Sequence, residues 1–416
     1  MHTTEYFNDM MTRDVMNDPH TYYHHLRAHD PVYWNEKWGG WMLTRYNDIV
    51  KVLRDPAGWS SQRIKYLSEE MRPGDEVRFK PIFDVLANWF IFKDQPDHTR
   101  IRRLLNPHMT PIALEKYKPR IQQIVHSVID RIEAGKKYDM VKEFSYLIPL
   151  TVILNMLGIP EADKDRDDIK YWSEQIGLLF FIRADEPKRR EIACEGITSF
   201  VEYLSPLVEE RRKHPKDDMI SLLTQAEKDG ILSRDEVIST TILLVFGGHE
   251  TTTNLINNGS LAFVHNPDQW ALLKKNPGLA ESAVEELLRY DTSVKATVRW
   301  AKYDQEVGGK QIKKDQRLLL ALTAANRDPE IFPNPDKLDI TRNPNPHVAF
   351  AHGIHVCIGG PLARLEAAET FRIMAERMEL PQLEANILEY QPAIVSRALN
   401  EFPVSWSSCP IAHHPA

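Results

Sequence analysis

Phe350-Ala-His-Gly-Ile-His-Val-Cys-Ile-Gly-Gly-Pro-Leu-Ala-Arg364 is the stretch that decides the fold. It places Cys357 in a glycine-rich loop, directly before a run of strong helix formers that starts at Pro361. Because glycine has no Cβ, the backbone here can turn sharply and lie against a flat ligand. A cysteine just before a helix lies near the positive end of the helix dipole, which favours the thiolate. A thiolate on a tight loop that faces a planar group predicts an axial ligand for haem iron.

Two other interpretations of Cys357 stay open at this point. Free cysteine behaves as a small hydrophobic residue, so a buried structural role is one of them. Zinc is the other, because four potential ligands lie close together in the chain, namely His347, His352, His355 and Cys357. However, only one residue separates His355 from Cys357, whereas the ligands of a zinc knuckle are usually about two to four residues apart.

The composition predicts one large globular unit. The chain has 416 residues, of which 42% are hydrophobic and 27% are charged, and no Gly/Ser-rich linker, repeat or low-complexity tract divides it. We therefore expect a single domain over 1–416, with β-richer hairpins towards both ends and a helical core at about 100–380.

Charge and cysteine content narrow the environment of the protein. The net charge of −7 gives no general reason to bind nucleic acid. Three widely spaced cysteines, Cys194, Cys357 and Cys409, make no disulfide framework, which fits a reducing compartment. The first residues contain neither an apolar signal core nor a membrane span. We expect a cytoplasmic protein without a membrane anchor.

The hydrophobic pattern predicts a mainly α structure with small β-sheets. A hairpin is expected from 32–34 and 41–44, a second sheet over 297–322, and a final hairpin that pairs 394–399 with 402–406. The predicted helices cover 46–54, 112–132, 144–157, 191–212, 234–265 and 279–290.

The helix predicted over 234–265 has a weak segment at its centre. It starts with a capping box, Ser233-Arg-Asp-Glu236, and ends before Asn266-Pro267. Its middle reads Phe246-Gly-Gly-His-Glu-Thr-Thr-Thr-Asn254, and two adjacent glycines cost about 1 kcal/mol each relative to alanine. We expect a functional kink at this point. Close packing of another helix against the glycines is the alternative.

The cysteine segment resembles the haem-binding loop of the cytochrome P450 family. The family pattern Phe-x-x-Gly-x-His/Arg-x-Cys-x-Gly is met in full by Phe350, Gly353, His355, Cys357 and Gly359. The centre of the long helix is similar to the family's distal motif, Ala/Gly-Gly-x-Asp/Glu-Thr. The resemblance implies the single-domain cytochrome P450 fold of the soluble bacterial members, with haem b between a long distal helix and a proximal cysteine loop and helix.

The resemblance also implies a haem-thiolate monooxygenase, which inserts one oxygen atom of dioxygen into a hydrophobic organic substrate by hydroxylation or epoxidation. A non-catalytic haem-based sensor or binding protein is the alternative. Two electrons would come from a separate ferredoxin or flavodoxin with its NAD(P)H-dependent reductase. A basic proximal patch of Arg100, Arg103 and Arg364 is the expected docking site for that partner.

The family motifs imply roles for individual residues of the site. Because cleavage of dioxygen consumes two protons, the Thr251 hydroxyl and the Glu250 carboxylate are expected to relay them. Gly247 and Gly248 are expected to leave room for dioxygen, and His249 to be structural. The residues expected to hold haem are Cys357 as the iron ligand, Phe350 and Gly359 in its loop, and His98, Arg102, Arg299 and His355 at the propionates.

The resemblance further implies a structural ion network and a substrate pocket. Glu286, Arg289 and Arg342 are expected to form a buried set that holds the proline-rich meander before the cysteine loop. The expected substrate contacts are apolar: Leu86, Phe90, Leu243, Val294, Val298 and Leu399. Lys295 and Arg397 are candidate partners for a substrate carboxylate.

Overall fold

Helices dominate the structure, a computed structural model that describes residues 7–69, 73–181 and 186–412. Within those ranges the α-helices, α1 to α18 in chain order, are Arg13–Asn17, Pro19–His29, Tyr46–Arg54, Arg63–Glu69, Asp75–Arg78, Lys80–Leu86, Asp97–Leu105, Pro111–Leu114, Lys118–Ile129, Leu147–Leu157, Asp163–Phe180, Arg189–Lys213, Met219–Lys228, Arg234–His265, Pro267–Lys275, Ala280–Tyr290, Leu322–Ala325 and Gly360–Arg377. Short 3-10 helices occur at Phe90–Phe92, Asn106–His108, Glu115–Tyr117, Pro277–Leu279 and Gly353–His355. None of these described helices has both the length and the apolar character needed to cross a membrane.

The β structure is small, as predicted. The strands β1 to β10 are Val32–Asn35, Gly40–Leu43, Trp59–Ser60, Lys137–Asp139, Ala296–Ala301, Gln305–Val307, Lys310–Ile312, Arg317–Ala321, Gln382–Leu383 and Pro403–Ser405. They form a five-stranded sheet in the order β1-β2-β8-β5-β3, a three-stranded sheet β4-β10-β9 and the hairpin β6-β7. The predicted N-terminal hairpin is confirmed, with Val32 opposite Leu43 and Asn35 opposite Gly40.

The long helix α14 lies at the centre of the fold. Ser233 and Glu236 form the predicted capping box. The helix packs against α10, α16 and α18. Gly259 permits this close approach, since a Cβ there would lie 2.7 Å from the Phe371 ring and 2.9 Å from Leu287. The core is therefore built around α14, and residues at its middle are held on a rigid element.

Two helices begin differently from the prediction. The segment 112–132 consists of α8, a 3-10 turn and α9 rather than one helix. Pro119 lies in the first turn of α9, where its missing N–H costs no helical hydrogen bond. The helix predicted from residue 144 starts with a π-helical turn, Val141–Ser145, and becomes α10 only afterwards.

The predicted C-terminal hairpin is wrong. β10 pairs with β4, with Val404 opposite Tyr138, and with β9 on its other side. Residues 394–399 make isolated bridges instead, from Ser396 to Val294 and from Leu399 to Tyr390. The strand partner of β10 is remote in the chain, so no local turn signal indicates it.

Candidate active site

The main cavity lies between the middle of α14 and the cysteine loop. Its lining includes Cys357 and Phe350 from the loop, Gly247 and Thr251 from α14, and Arg299 from β5. Residues that the sequence motifs place far apart in the chain therefore meet at one cavity.

The cysteine loop is held by its own backbone and by α3. Gly353 has φ +73°, and a Cβ at this position would lie 2.2 Å from the Leu53 carbonyl oxygen near the end of α3. Only glycine fits there without displacement of that backbone. The Cys357 amide donates to the Phe350 carbonyl oxygen at 2.9 Å and closes the loop. Pro361 lies in the first turn of α18, as predicted.

The Cys357 thiol faces the main cavity. Burial among protein atoms raises the pKa of this thiol, and the backbone N–H groups of Gly359 and Gly360 together with the charges of Arg102 and Arg364 lower it by a smaller amount. Burial therefore opposes the thiolate, whereas the loop N–H groups and the two arginines favour it. Ligation to a metal removes the thiol proton.

Four basic side chains, which we call the donor cluster, gather at the main cavity. Arg102, Arg299 and His355 line it, and the ring centroid of His98 lies 4.2 Å from that of His355. Neither arginine forms an ion pair with a carboxylate of the described residues. Arg299 donates to Thr297 Oγ1 and to the Val298 carbonyl oxygen. Both ring nitrogens of His98 are buried and have no hydrogen-bond partner within the part of the chain that the structure describes. Buried groups of this kind are costly unless a ligand satisfies them.

Protonation in the donor cluster follows from burial. Burial and the Arg102 charge lower the pKa of His98 to about 4. Burial and the Arg299 charge lower the pKa of His355 to about 2. Burial lowers the pKa of Arg299 to about 10, so this guanidinium stays charged at neutral pH. Guanidinium cations and neutral imidazole N–H groups are suitable donors for two carboxylates. Together with Cys357, these residues fit a haem with its two propionates.

The two glycines of the distal motif face different surroundings. A Cβ at Gly247 would have no neighbour within 4 Å, so this position opens onto the main cavity. A Cβ at Gly248 would lie 2.8 Å from Ile153 Cγ1 on α10. Gly248 thus allows α10 to pack against α14, and it also lines the main cavity. The helix continues through both glycines, so the expected kink brings no break in α14.

Thr251 and Glu250 face different cavities. Thr251 lines the main cavity, and its hydroxyl donates to the Gly247 carbonyl oxygen at 3.4 Å. The Glu250 side chain, which is 20% exposed, lines a second cavity that we call the side cavity. His249 is buried beside it, with Nδ1 2.7 Å from the Val245 carbonyl oxygen. The two relay residues predicted from the sequence are adjacent in the chain but divided between two cavities.

The predicted substrate contacts are only partly brought together. Four of them line the main cavity: Phe90, Leu243, Val294 and Val298. Leu86 does not line it and is buried in the core, and Leu399 lines the side cavity. Sequence position alone does not reveal the direction of these two side chains, which depends on how their segments pack.

Sequence reasoning missed several residues of the main cavity. Arg63 on α4 lines it together with the aromatic rings of Phe92 and Phe181. The Arg63 guanidinium donates to the carbonyl oxygens of Leu179 at 3.0 Å and Phe180 at 2.8 Å, at the end of α11. No motif or periodicity around Arg63 signals this contact, because its partners are more than a hundred residues away.

Lys295 and Arg397 do not line the main cavity, so the prediction that they meet a substrate carboxylate is wrong. Arg397 pairs with Asp291 at 2.8 Å and donates to the Met16 carbonyl oxygen at 2.8 Å. The Lys295 ammonium lies 3.3 Å from Met16 Sδ, and burial lowers the pKa of Lys295 to about 7. Both side chains point towards the N-terminal segment.

The Glu286 network, formed by Glu286, Arg289 and Arg342, is joined in space. Arg289 makes two bonds of 2.8 Å to the Glu286 carboxylate, and Arg342 Nε reaches it at 3.0 Å. The other Arg289 donors bind backbone carbonyl oxygens of Asn326 and Pro335. Glu286 and Arg289 are fully buried. The network links α16 to the meander that precedes the cysteine loop.

The zinc alternative finds no support in the geometry. His347 binds Glu285, with Nε2 3.0 Å from the carboxylate. Within the described ranges, no group of three or more His, Cys, Asp or Glu side chains is arranged to hold a metal ion. Cys357 also faces a cavity rather than a packed core, unlike a buried structural cysteine.

The predicted docking patch is reduced by internal pairing. Arg100 binds Glu236 at 2.6 Å, and Arg364 binds Glu285 at 2.6 Å. Arg103 is exposed. Two of the three cations are therefore partly neutralised by the protein's own carboxylates.

Comparison with known proteins matches these features to one family. The family model described as "Cytochrome P450" matches residues 64–276 and 265–380. The biotin biosynthesis cytochrome P450 of Bacillus subtilis (strain 168) is 36% identical over 94% of this chain and 97% of its own length. The vitamin D(3) 25-hydroxylase of Pseudonocardia autotrophica is 36% identical over 96% of both chains. A crystal structure of P450BioI in complex with an acyl carrier protein ligated to hexadec-9Z-enoic acid superimposes with a TM-score of 0.86 at 35% identity, over 95% of this chain and 99% of that chain.

Proposed function

We propose a full reaction for this chain, which belongs to the cytochrome P450 family and is a haem-thiolate monooxygenase of organic substrates. It inserts one oxygen atom of dioxygen into a hydrophobic molecule, by hydroxylation or epoxidation, with two electrons from a separate protein. The observation that carries this proposal is the meeting of Cys357, the unsatisfied donor cluster and Thr251 at one cavity.

We propose haem b as the cofactor. Cys357 Sγ binds its iron, and the missing side chain of Gly359, whose Cβ would lie 4.0 Å from that sulfur, leaves space beside the ligand. Phe350 lines the same wall. The propionates are held by His98, Arg102, Arg299 and His355. When bound, haem supplies the activation of dioxygen.

The chain's own contribution to the chemistry is proton delivery in a site protected from bulk water. The Thr251 hydroxyl donates a proton to dioxygen in the main cavity, for which Gly247 leaves room. The Glu250 carboxylate, on the side-cavity face of the same helix turn, takes protons from solvent and passes them towards Thr251. Because the two groups face different cavities, proton transfer from Glu250 to Thr251 needs either a different conformation of the Glu250 side chain or a bridging water molecule.

The substrate that fits the main cavity is an apolar molecule without a fixed charge. Its walls include Phe90, Leu243, Val294 and Val298. The remaining cation of the wall, Arg63, already donates to two backbone carbonyl oxygens, so it is bound to the protein itself. Orientation of the substrate therefore comes from shape and aromatic contact.

A separate ferredoxin or flavodoxin with its NAD(P)H-dependent reductase supplies the electrons. Its contact includes Arg103, the exposed cation of the proximal patch. Reversal of this charge in Arg103→Glu slows reduction while haem content stays constant. We further propose that residues 1–416 form one domain and that the protein acts in the cytoplasm with no nucleic acid partner.

Thr251→Ala tests the proposed reaction. Substrates are first chosen by the low-spin to high-spin shift that they cause in the purified holoenzyme. With a surrogate ferredoxin and reductase, the variant binds haem and substrate normally but releases its reducing equivalents as peroxide, with product formation down by about 10²-fold. Full coupling in the variant would refute the role of Thr251. A parent protein that consumes no NAD(P)H with the surrogate partners and a bound substrate would favour the haem-sensor alternative.

A further inference from the structure

The side cavity lies against the middle of α14 and has a mixed polar and apolar lining. Charged and polar side chains from four segments line it: Tyr146, Lys170, Glu174, His249, Glu250, Thr253, Asn254, Gln391 and Ser396. Thr251, the next residue after Glu250, lines the main cavity instead. One turn of α14 therefore separates the side cavity, which holds these polar groups, from the largely apolar main cavity.

Several buried polar atoms around the side cavity have no hydrogen-bond partner among the residues that the structure describes. They are His249 Nε2, Thr253 Oγ1, Asn254 Nδ2 and Ser396 Oγ. His249 is only 1% exposed and Ser396 likewise. Native proteins rarely leave such groups unsatisfied, and ordered water is their usual partner. This lining is consequently suited to a chain of water molecules that reaches His249 and Glu250.

The hydrogen bond of His249 fixes the state of its ring. Nδ1 lies 2.7 Å from the Val245 carbonyl oxygen, which can only accept, so Nδ1 carries a hydrogen. In the neutral imidazole Nε2 is then an acceptor, and it lies 3.6 Å from Glu250 Oε1. Two acceptors at this separation attract each other only when one of them holds a proton. The pair is thus arranged to share one proton, as imidazolium with carboxylate or as imidazole with carboxylic acid.

We propose that His249 is a positioning residue that keeps Glu250 supplied with a proton from the side cavity. This inference rests on the proposed role of Glu250 in the monooxygenase reaction. A water molecule in the side cavity gives its proton to Nε2, and hydroxide is neutralised by solvent. The proton moves from Nε2 to the Glu250 carboxylate, and Glu250 gives it up towards Thr251. Each proton consumed in the main cavity is thereby replaced by one from solvent, and the pair returns to its starting state.

Other charges near the pair are few and balanced. On α11, Lys170 forms an ion pair with Glu174. Tyr146 lies beneath Lys170, 5.3 Å from its ammonium, and donates to Asp167 at 3.2 Å. From the C-terminal segment, Gln391 and Ser396 are neutral. The charge of the adjacent Arg397 is taken up by Asp291, so it does not compete for the proton of the pair.

Two variants of His249 separate a proton-supplying role from a structural one. His249→Asn keeps a donor that can bind the Val245 carbonyl but has no group that can take up a proton. His249→Phe keeps the ring volume and loses both functions. His265→Gln, an exposed position at the end of the same helix, is the matched control. We expect His249→Asn to retain haem and substrate binding, to lose about fivefold or more in coupled product formation, and to release peroxide.

Coupled product formation in His249→Asn equal to that in His265→Gln would overturn the proposal.

A spectroscopic measurement tests the pair independently of turnover. The holoenzyme is labelled with ¹⁵N at histidine and measured by NMR in its ferrous carbon monoxide form. The resonances that disappear in His249→Asn belong to His249. They should show a hydrogen on Nδ1, and the Nε2 chemical shift should change in Glu250→Gln. An Nε2 resonance insensitive to Glu250→Gln would overturn the shared proton. If Glu250→Gln itself retains full coupling, the proposed role of Glu250 fails; if Glu250→Gln uncouples and His249→Asn does not, only the inference about His249 fails.

Discussion

The Glu286 network and the donor cluster are both largely buried groups of ionisable side chains, but the protein satisfies only the first. Arg289 and Arg342 reach the Glu286 carboxylate at 2.8 and 3.0 Å. In the donor cluster, Arg299 has no carboxylate partner among the described residues and His98 has no partner at all there. An unpaired buried charge costs several kcal/mol, on the order of 3–5 kcal/mol when one partner of a pair is removed. A buried group whose hydrogen bonds and ion pairs are supplied by the protein is thus part of the scaffold. A buried group that lacks them marks a site that a ligand must complete.

The strongest test of this contrast removes the anion of the Glu286 network. Glu286→Gln leaves Arg289 and Arg342 uncompensated, so the free energy of unfolding should fall by about 3–5 kcal/mol, measured by urea titration of the holoenzyme. Glu281→Gln, an exposed residue of the same helix α16, serves as the control and should cost nearly nothing. A loss below about 1 kcal/mol would mean that the network is no more important than a surface pair.

The pH dependence of the haem-free chain tests the other side of the contrast. Burial and Arg102 depress the pKa of His98 from 6.5 to about 4, so the unfolded chain binds more protons between these values. Stability should therefore fall as pH drops through this window, by up to about 3 kcal/mol at about 1.36 kcal/mol for each pKa unit. Haem propionates would stabilise the protonated ring, so the loaded protein should show a shallower slope. Unfolding curves at several pH values measure this, and an equally steep slope in His98→Asn would contradict it.

Removal of a cation from the donor cluster should affect ligand retention rather than folding. Arg299→Leu replaces a buried charge that has no protein carboxylate, so the haem-free chain should be as stable as the parent or more so. Haem affinity should fall about tenfold or more, since a hydrogen bond to a charged group contributes about 1.5–3 kcal/mol. Haem transfer to an acceptor protein measures the loss, with Arg131→Leu at an exposed position just beyond the end of α9 as the control. Destabilisation of the haem-free chain by Arg299→Leu would remove the distinction between the two groups.

The same contrast appears on a smaller scale at the two glycines. A Cβ at Gly248 would meet Ile153 at 2.8 Å, so Gly248→Ala should destabilise the protein by about 1–3 kcal/mol through overpacking. Gly247 faces open space, and Gly247→Ala should leave stability unchanged or raise it by up to about 1 kcal/mol because alanine favours helix. The second variant should instead weaken carbon monoxide binding by narrowing the main cavity. Equal melting temperatures for the two variants would contradict this assignment.

Features encoded within a few residues were predictable from the sequence. The capping box and the end of α14, the loop around Cys357 and the hairpin β1-β2 depend on local propensity and spacing, and the structure has them where the pattern indicates. The direction of Leu399, the packing role of Gly248 and the pairing of β10 with β4 depend on segments remote in the chain. The sequence pattern of one segment does not reveal which remote segment packs against it.

The candidate site divides in the same way. Residue types at fixed spacing pointed to Cys357, Glu250 and Thr251, because the chemistry demands them within short motifs. Glu250 and Thr251 face different cavities because of where α11 and the C-terminal segment lie, and only the folded chain reveals those positions. Arg63 belongs to the cavity for equally remote reasons.

The contact between Gly353 and Leu53 extends the importance of the N-terminal region. None of residues 7–54 lines the main cavity, yet the end of α3 is the surface against which the sulfur-bearing loop rests. A chain shortened to begin after this helix would keep every sequence motif, but it would lose the contact that fixes the position of the loop bearing Cys357. Library designs that shuffle fragments between relatives should therefore inherit residues 46–54 and 350–360 from the same parent.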